Sequence, residues 1–140
     1  MEHIKDCIAA LREAAPEIDI AENELMRRHT TFAIGGPADL FVQPKTRREL
    51  TAALAVLRER NIPFLLLNGS NMLVADAGIR GAVVCTSELD EVRVNEDNTV
   101  SAEAGALFSR IARRAQRSGL TGAEFAGGIP GSLGGAVYMN

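Results

Sequence analysis

The chain has 140 residues, 46% of them hydrophobic and 24% charged, with a formal net charge of −3. That length has room for one domain with a real core, and the acidic balance lacks the basic surplus of a nucleic-acid binder. No apolar run approaches the length of a membrane span and the charged start Met1–Asp6 opens no signal-peptide core, so a cytoplasmic protein is expected.

Two cysteines, Cys7 in an early amphipathic segment and Cys85 at the end of an apolar run, give neither a disulfide framework nor metal-ligand spacing. Both read as core residues. His3 and His29 are the only histidines. Neither has a cysteine, a histidine or a paired carboxylate at ligand spacing, so solvated or capping roles are expected and no metal centre.

From the N terminus, Ile4, Cys7, Ile8, Leu11 and Ala15 recur at helical spacing, which predicts an amphipathic helix over 3–15 that Pro16 stops. Glu22–Arg28 reads as a second short helix. His29–Asp39 then breaks the helical pattern with a Gly-Gly-Pro turn. Leu40-Phe41-Val42 reads as a strand, and Thr46 with Glu49 forms a capping box that opens a helix. In that helix Leu50, Ala53, Leu54 and Leu57 share one face, and Arg58, Glu59 and Arg60 close it in solvent. Phe64–Leu67 is wholly apolar, as a strand covered on both faces would be. Strand, helix and strand make a β-α-β unit with parallel strands, so the next segment lies at a strand's carboxyl end, where open α/β sheets place ligands.

That segment is Asn68-Gly69-Ser70-Asn71, followed by Met72-Leu73. Successive N–H groups in a Gly-Ser turn can form an anion nest suited to a diphosphate, with Ser70 and Asn71 adding donors. An Asn-Gly plain turn is the alternative, and neither the dinucleotide nor the P-loop glycine motif is present. Beyond it, 76–81 reads as a turn and 82–85 as a buried strand. Leu89–Val94 and Thr99–Ala104 flank Asn95–Asn98 as a hairpin in a mixed sheet. Gly105 precedes a helix over about 107–118, with Leu107, Ile111, Ala112 and Ala115 inward and Gly119 as its stop. Arg110, Arg113, Arg114 and Arg117 fall on its outer face, where they either meet an anionic partner or are simply solvated.

The chain ends in the apolar run Gly127–Asn140, in which five of the thirteen glycines fall within nine residues. Glycine is costly in a packed interior, so such a cluster marks special dihedrals or a backbone pressed against a ligand. We read it as a buried turn entering a short helix at Ser132, whose free N–H groups face an electron-rich ring or an anion. A glycine-rich packing loop is the plain alternative.

Three separated segments resemble one family. His29-Thr30-Thr31-Phe32 with Ile34–Asp39, then Asn68–Asn71 with Gly78-Ile79-Arg80-Gly81, then Phe125–Asn140, are similar to the UDP-N-acetylenolpyruvoylglucosamine reductase (UDP-N-acetylmuramate dehydrogenase) family. The resemblance implies an α+β fold of the FAD-binding PCMH or vanillyl-alcohol-oxidase type, with a small β-α-β subdomain followed by a mixed or antiparallel sheet and a flanking helix. It runs over 29–140, with 1–28 as a helical arm. It also implies a bacterial cytoplasmic oxidoreductase of peptidoglycan precursor synthesis, acting in cell-wall biogenesis, cell shape and division. In that family NADPH reduces a tightly bound FAD, which passes hydride to the enolpyruvyl double bond of the UDP-N-acetylglucosamine ether.

By the same resemblance, Asn68, Gly69, Ser70, Asn71, Met72 and Leu73 hold the FAD pyrophosphate. Gly105, Gly128, Ile129, Pro130, Gly131, Ser132, Gly134 and Gly135 are the remaining cofactor contacts, with 127–135 lying along the flavin. Leu67 departs from the family, which has a glycine there. The family's catalytic arginine, proton-donating serine and glutamate match no residue of this chain. The sequence therefore reads as a cofactor-binding half, incomplete at its C-terminal end, missing the substrate domain and inactive alone. A non-catalytic flavin- or nucleotide-binding module, or another PCMH-type flavin oxidase, is the competing expectation.

Overall fold

The computed structural model describes residues 2–68 and 72–139. It divides into two compact units, Met1–Glu88 and Leu89–Asn140.

The first unit is a four-stranded sheet with two helices. α1 (Glu2–Ala14) is followed by β1 (Asp19–Leu25), β2 (Pro37–Gln43), α2 (Arg47–Glu59), β3 (Phe64–Leu67) and β4 (Ile79–Cys85). The strand order is β1-β2-β4-β3, with β1 antiparallel to β2 and the other pairings parallel. The β-α-β unit is therefore present, with β4 inserted between its two strands. α2 begins as the capping box requires: Thr46 Oγ1 accepts from the Glu49 N–H at 3.2 Å, while the Glu49 carboxylate accepts from the Lys45 N–H at 2.6 Å.

Two apolar clusters sandwich the sheet, because alternate strand residues point to opposite faces. Leu40, Val42, Ala82 and Val84 meet Cys7, Ile8 and Leu11 of α1 and Ala53, Val56 and Leu57 of α2. On the opposite face Phe41, Val83 and Cys85 pack with Met26 and Val74. Cys7 and Cys85 are thus buried free thiols, as their surroundings in sequence indicated.

Glu22–Arg28 is not a helix. Residues 19–25 form β1, and only Met26–Arg28 makes one short 3₁₀ turn. Ladder hydrogen bonds to β2 override the weak helical preference of the acidic run, and Asn23 takes a positive φ of 52°. Residues 19–25 thus belong to the first unit's sheet rather than to a helical arm. β3 is a strand as read, but it is not covered on both faces. It lies at the sheet edge, so Leu65 and Leu66 are 40% and 50% exposed. His29 is a cap, one of its two expected roles: its N–H donates to Met26 O at 2.9 Å at the end of the 3₁₀ turn, while its Nε2 lies 2.9 Å from Glu24 Oε1 and its ring stacks on Phe41 with centroids 4.1 Å apart.

The predicted turn at 76–81 is shorter than read, because β4 already starts at Ile79. Pairing of β2 with β4 slips between Ala38 and Leu40: Ala38 faces Ile79 while Leu40 faces Ala82, so β4 carries one extra residue. Gly81, at φ +103°, absorbs this bulge. The preceding turn lies so close to the start of β2 that a Cβ on Gly36 would come 1.9 Å from Asp76 O, and one on Gly78 1.8 Å from Pro37 O.

The second unit is the hairpin β5 (Val92–Val94) and β6 (Val100–Ala102), then α3 (Phe108–Arg117), a 3₁₀ segment at Glu124–Gly128 and α4 (Leu133–Met139). β5 and β6 are antiparallel, with the Asn95 N–H bonded to Thr99 O and Asn98 at φ +65° in the turn. α3 buries Ile111 and Ala115 and ends at Gly119, φ +71°. Leu107 does not face inward: it is the N-cap residue in extended conformation and is 52% exposed, because helical periodicity starts only after it. Among the described residues no helix is long and apolar enough to cross a membrane.

Candidate functional site

The residues expected to contact FAD divide between the two units. In the first, Asn68 and Met72–Leu73 follow β3 at its carboxyl end, the position the β-α-β reading requires. Gly69, Ser70 and Asn71 lie outside the described residues. Leu67, on the N-terminal side, is held in the sheet by its carbonyl, which accepts from the Thr86 N–H at 2.9 Å. Met72 packs against the cluster around Met26 and Val74, while Leu73 is exposed.

In the second unit the structure brings Gly105 and the terminal glycine segment together. Residues 131–134 run along residues 104–108, fastened by Phe108 N–H to Gly131 O at 2.9 Å, Leu133 N–H to Ala106 O at 2.8 Å and Gly134 N–H to Ala104 O at 2.8 Å. Leu107 and Ser132 form an isolated antiparallel bridge in the middle. Small residues permit this approach: a Cβ on Gly134 would lie 3.0 Å from Ala104 Cβ. Sequence reasoning missed Ala104, Ala106 and Leu107 because they contribute backbone, and the only signal was a run of small residues before a helix.

Ser132 caps α4 as expected. It is buried, its Oγ accepts from the Gly135 N–H at 3.3 Å and its carbonyl accepts from Ala136 N–H at 2.9 Å. The expectation that this helix end offers free N–H groups to a ligand is corrected. The N–H groups of Leu133, Gly134 and Gly135 are all spent, on Ala106 O, Ala104 O and Ser132 Oγ. A helix terminus donates to a ligand only when its amides lack a protein acceptor, and here the strap along 104–108 supplies acceptors. For Gly134 the close neighbour is Ala104, which is the packing alternative.

The segment before Ser132 is not a buried turn either. Gly127, Gly128, Ile129 and Pro130 are exposed, and a Cβ on Gly127 or Gly128 would meet nothing within 4 Å. Neither glycine has a positive φ. Glycine in a helical turn costs about 0.5–1 kcal/mol relative to alanine, so the chain keeps two costly residues that its own backbone and packing do not require. Phe125 and Ile129, next to them in the chain, and Val137, Tyr138 and Met139 on α4 are exposed and apolar. The space beside the two glycines is open, and a flat group could lie against their backbone. Among the described residues no buried side-chain polar atom lacks a partner and no cluster of three metal-ligating side chains occurs.

Charge is concentrated on α3. Arg110, Arg113, Arg114 and Arg117 line an open groove of about 540 Å³ beside Val92, and Arg110 pairs with Asp90.

Residues 38–140 match the family model of the FAD binding domain. The UDP-N-acetylenolpyruvoylglucosamine reductase of Clostridium tetani is 42% identical over 141 residues, covering 100% of this chain and 46% of the relative. That of Caldanaerobacter subterraneus subsp. tengcongensis is 52% identical over 131 residues, covering 93% of this chain and 43% of the relative. The chain thus spans a little under half the length of these curated relatives. Among solved structures, wild-type Phl p 4.0202, a glucose dehydrogenase, superimposes with a TM-score of 0.63 at 12% identity, over 81% of this chain and 26% of that one. Chitooligosaccharide oxidase does so with a TM-score of 0.61 at 15% identity, over 81% and 25%. At such identities the likeness establishes the fold.

Proposed function

We propose, because the chain belongs to the FAD binding domain family, that it is the flavin-holding portion of a UDP-N-acetylenolpyruvoylglucosamine reductase. Its relatives at 42% and 52% identity carry that name, whereas the sugar dehydrogenase and oxidase share the fold at 12% and 15%. The observation that carries the reading is the open glycine pair Gly127-Gly128, flanked in sequence by exposed Phe125 and Ile129. That surface is cheap to leave bare only if something else covers it.

In this reading Asn68–Leu73 take the FAD diphosphate at the carboxyl end of β3. Gly105, Gly128, Pro130 and Gly131 support the flavin, with Ile129, Val137 and Met139 excluding water from it. When bound, FAD supplies hydride acceptance from NADPH and delivery to the enolpyruvyl double bond of the UDP-sugar. The chain's own part is binding and orientation. Ser132, buried and tied to Gly135, keeps the strap rigid and hence the surface at fixed depth. Because none of its residues matches the family's proton donor, reduction of the UDP-sugar needs the further length present in the relatives.

The test is turnover. A protein of the relatives' length that contains this chain should oxidise NADPH when the UDP-N-acetylglucosamine enolpyruvyl ether is added, and the 140 residues alone should not. Turnover by the 140 residues at a comparable rate contradicts the assignment, as does inertness of the longer protein when loaded with FAD.

A further inference from the structure

The bulge in β4 leaves a ladder position without its regular partner. Asp39, opposite it on β2, fills the gap: its Oδ2 accepts from the Gly81 N–H at 2.9 Å. Its other oxygen receives Arg80 Nη1 at 2.6 Å. The same guanidinium also donates through Nη2 to Pro37 O and Ala77 O, each at 3.1 Å. One side chain therefore joins the start of β2, the turn at Ala77 and the bulge.

Main-chain bonds complete the seam. Gly36 N–H donates to Ala75 O at 3.0 Å and Gly78 N–H to the same oxygen at 2.9 Å, with Gly35 seated against Val74. Through these contacts 74–81 is fixed along 35–39. Arg80 is largely exposed, and a surface ion pair adds little to stability. What a planar guanidinium with two backbone acceptors and a carboxylate does provide is fixed geometry.

We propose that Asp39 and Arg80 are positioning residues for FAD binding, acting by fixing Val74–Gly78 and with it Met72 and Leu73. This rests on the flavin reading above. The two motif segments that hold these residues, Gly36–Asp39 and Gly78–Gly81, are then joined by one task rather than being two independent turns. Precise placement of a bound group depends on the shell behind its contacts; at metal sites loss of such a partner weakens binding about 10- to 100-fold, and an effect of that order is expected here.

FAD titration of the 140-residue chain, followed by flavin fluorescence, should compare wild type with Asp39→Asn, Arg80→Lys and Arg80→Ala. Asp39→Asn keeps an acceptor for Gly81 and Arg80→Lys keeps the charge, so both guard against a variant that merely misfolds. The expected result is an FAD Kd raised roughly tenfold or more in Arg80→Ala, with partial recovery in Arg80→Lys. Melting of the FAD-free chain should be little changed, and amide exchange at Ala75–Gly78 should be faster. Unchanged Kd in all three variants overturns the inference while leaving the flavin reading intact. So does a loss of affinity that only tracks a loss of stability. Absence of saturable binding by wild type overturns the flavin reading itself, and the inference with it.

Discussion

At the scale of single residues, the glycines separate into two kinds. Gly36 and Gly78 are demanded by the chain, since an added Cβ would sit inside the carbonyl groups of Asp76 and Pro37. Gly36→Ala or Gly78→Ala should therefore destabilise the FAD-free protein by roughly 1–3 kcal/mol or more. Gly127 has open space and no positive φ, so Gly127→Ala should leave that stability unchanged or raise it by up to about 1 kcal/mol. Urea unfolding of the three variants without FAD checks both statements, and equal losses would show that Gly127 is a packing residue. Glu24 offers a second test. Its hydrogen bond with His29, helped by Arg28, holds its pKa below the ordinary 4.5. A carboxyl with a depressed folded-state pKa contributes stability that is complete above its unfolded value and is lost as pH falls through the folded one. Glu24→Gln should therefore flatten the acid limb of a stability–pH curve below about pH 4.5 and leave its shape at neutral pH unchanged. An acid limb identical to wild type would show that the pair contributes nothing.

At the scale of elements, what could be read from sequence was what depends on local period and caps. The helix over 47–59 announced itself by Thr46, Glu49 and the apolar spacing of Leu50, Ala53 and Leu57, and the hairpin by its polar turn at 95–98. Replacing Thr46 with Ala should cost about 1 kcal/mol, measured by chemical denaturation, because the Glu49 N–H loses its acceptor. A cost near zero would mean that the Glu49 carboxylate alone fixes the helix start. Features that depend on distant partners were not legible. β1 carries Glu22, Asn23 and Glu24 and has no apolar alternation, so only its pairing with β2 makes it a strand. The exposure of Leu65 and Leu66 follows from β4 standing between β2 and β3, a matter of strand order that the apolar run Phe64–Leu67 does not encode. The spent amides of α4 are a further case: Ser132 and the glycines advertised a helix start, but the acceptors on Ala104 and Ala106 come from another stretch of backbone. Asp39 and Arg80 stood inside recognised motifs, yet their pairing needed the bulge at Gly81 to be seen.

At the scale of the molecule, the first unit is a sheet with an apolar cluster on each face, and the second carries apolar residues outward at Phe125, Ile129, Val137, Tyr138 and Met139. A surface of that kind is a site for a ligand or for further polypeptide rather than a finished exterior. The family match over residues 38–140 assigns this chain to the FAD binding domain family. Burial gives the first unit an internal marker of integrity. Cys7 is fully buried and its thiol pKa is raised by desolvation, so in the folded chain it should resist alkylation at neutral pH and react only on unfolding. Rapid modification under native conditions would show that the α1 face of the sheet is open. The most direct test of flavin binding is a titration of the FAD-free chain with FAD, run on wild type and on Gly128→Val. Saturable binding by wild type, weakened at least tenfold in the variant while its FAD-free stability holds, is the expected result. No saturable binding by wild type, or equal affinity in Gly128→Val, would contradict it.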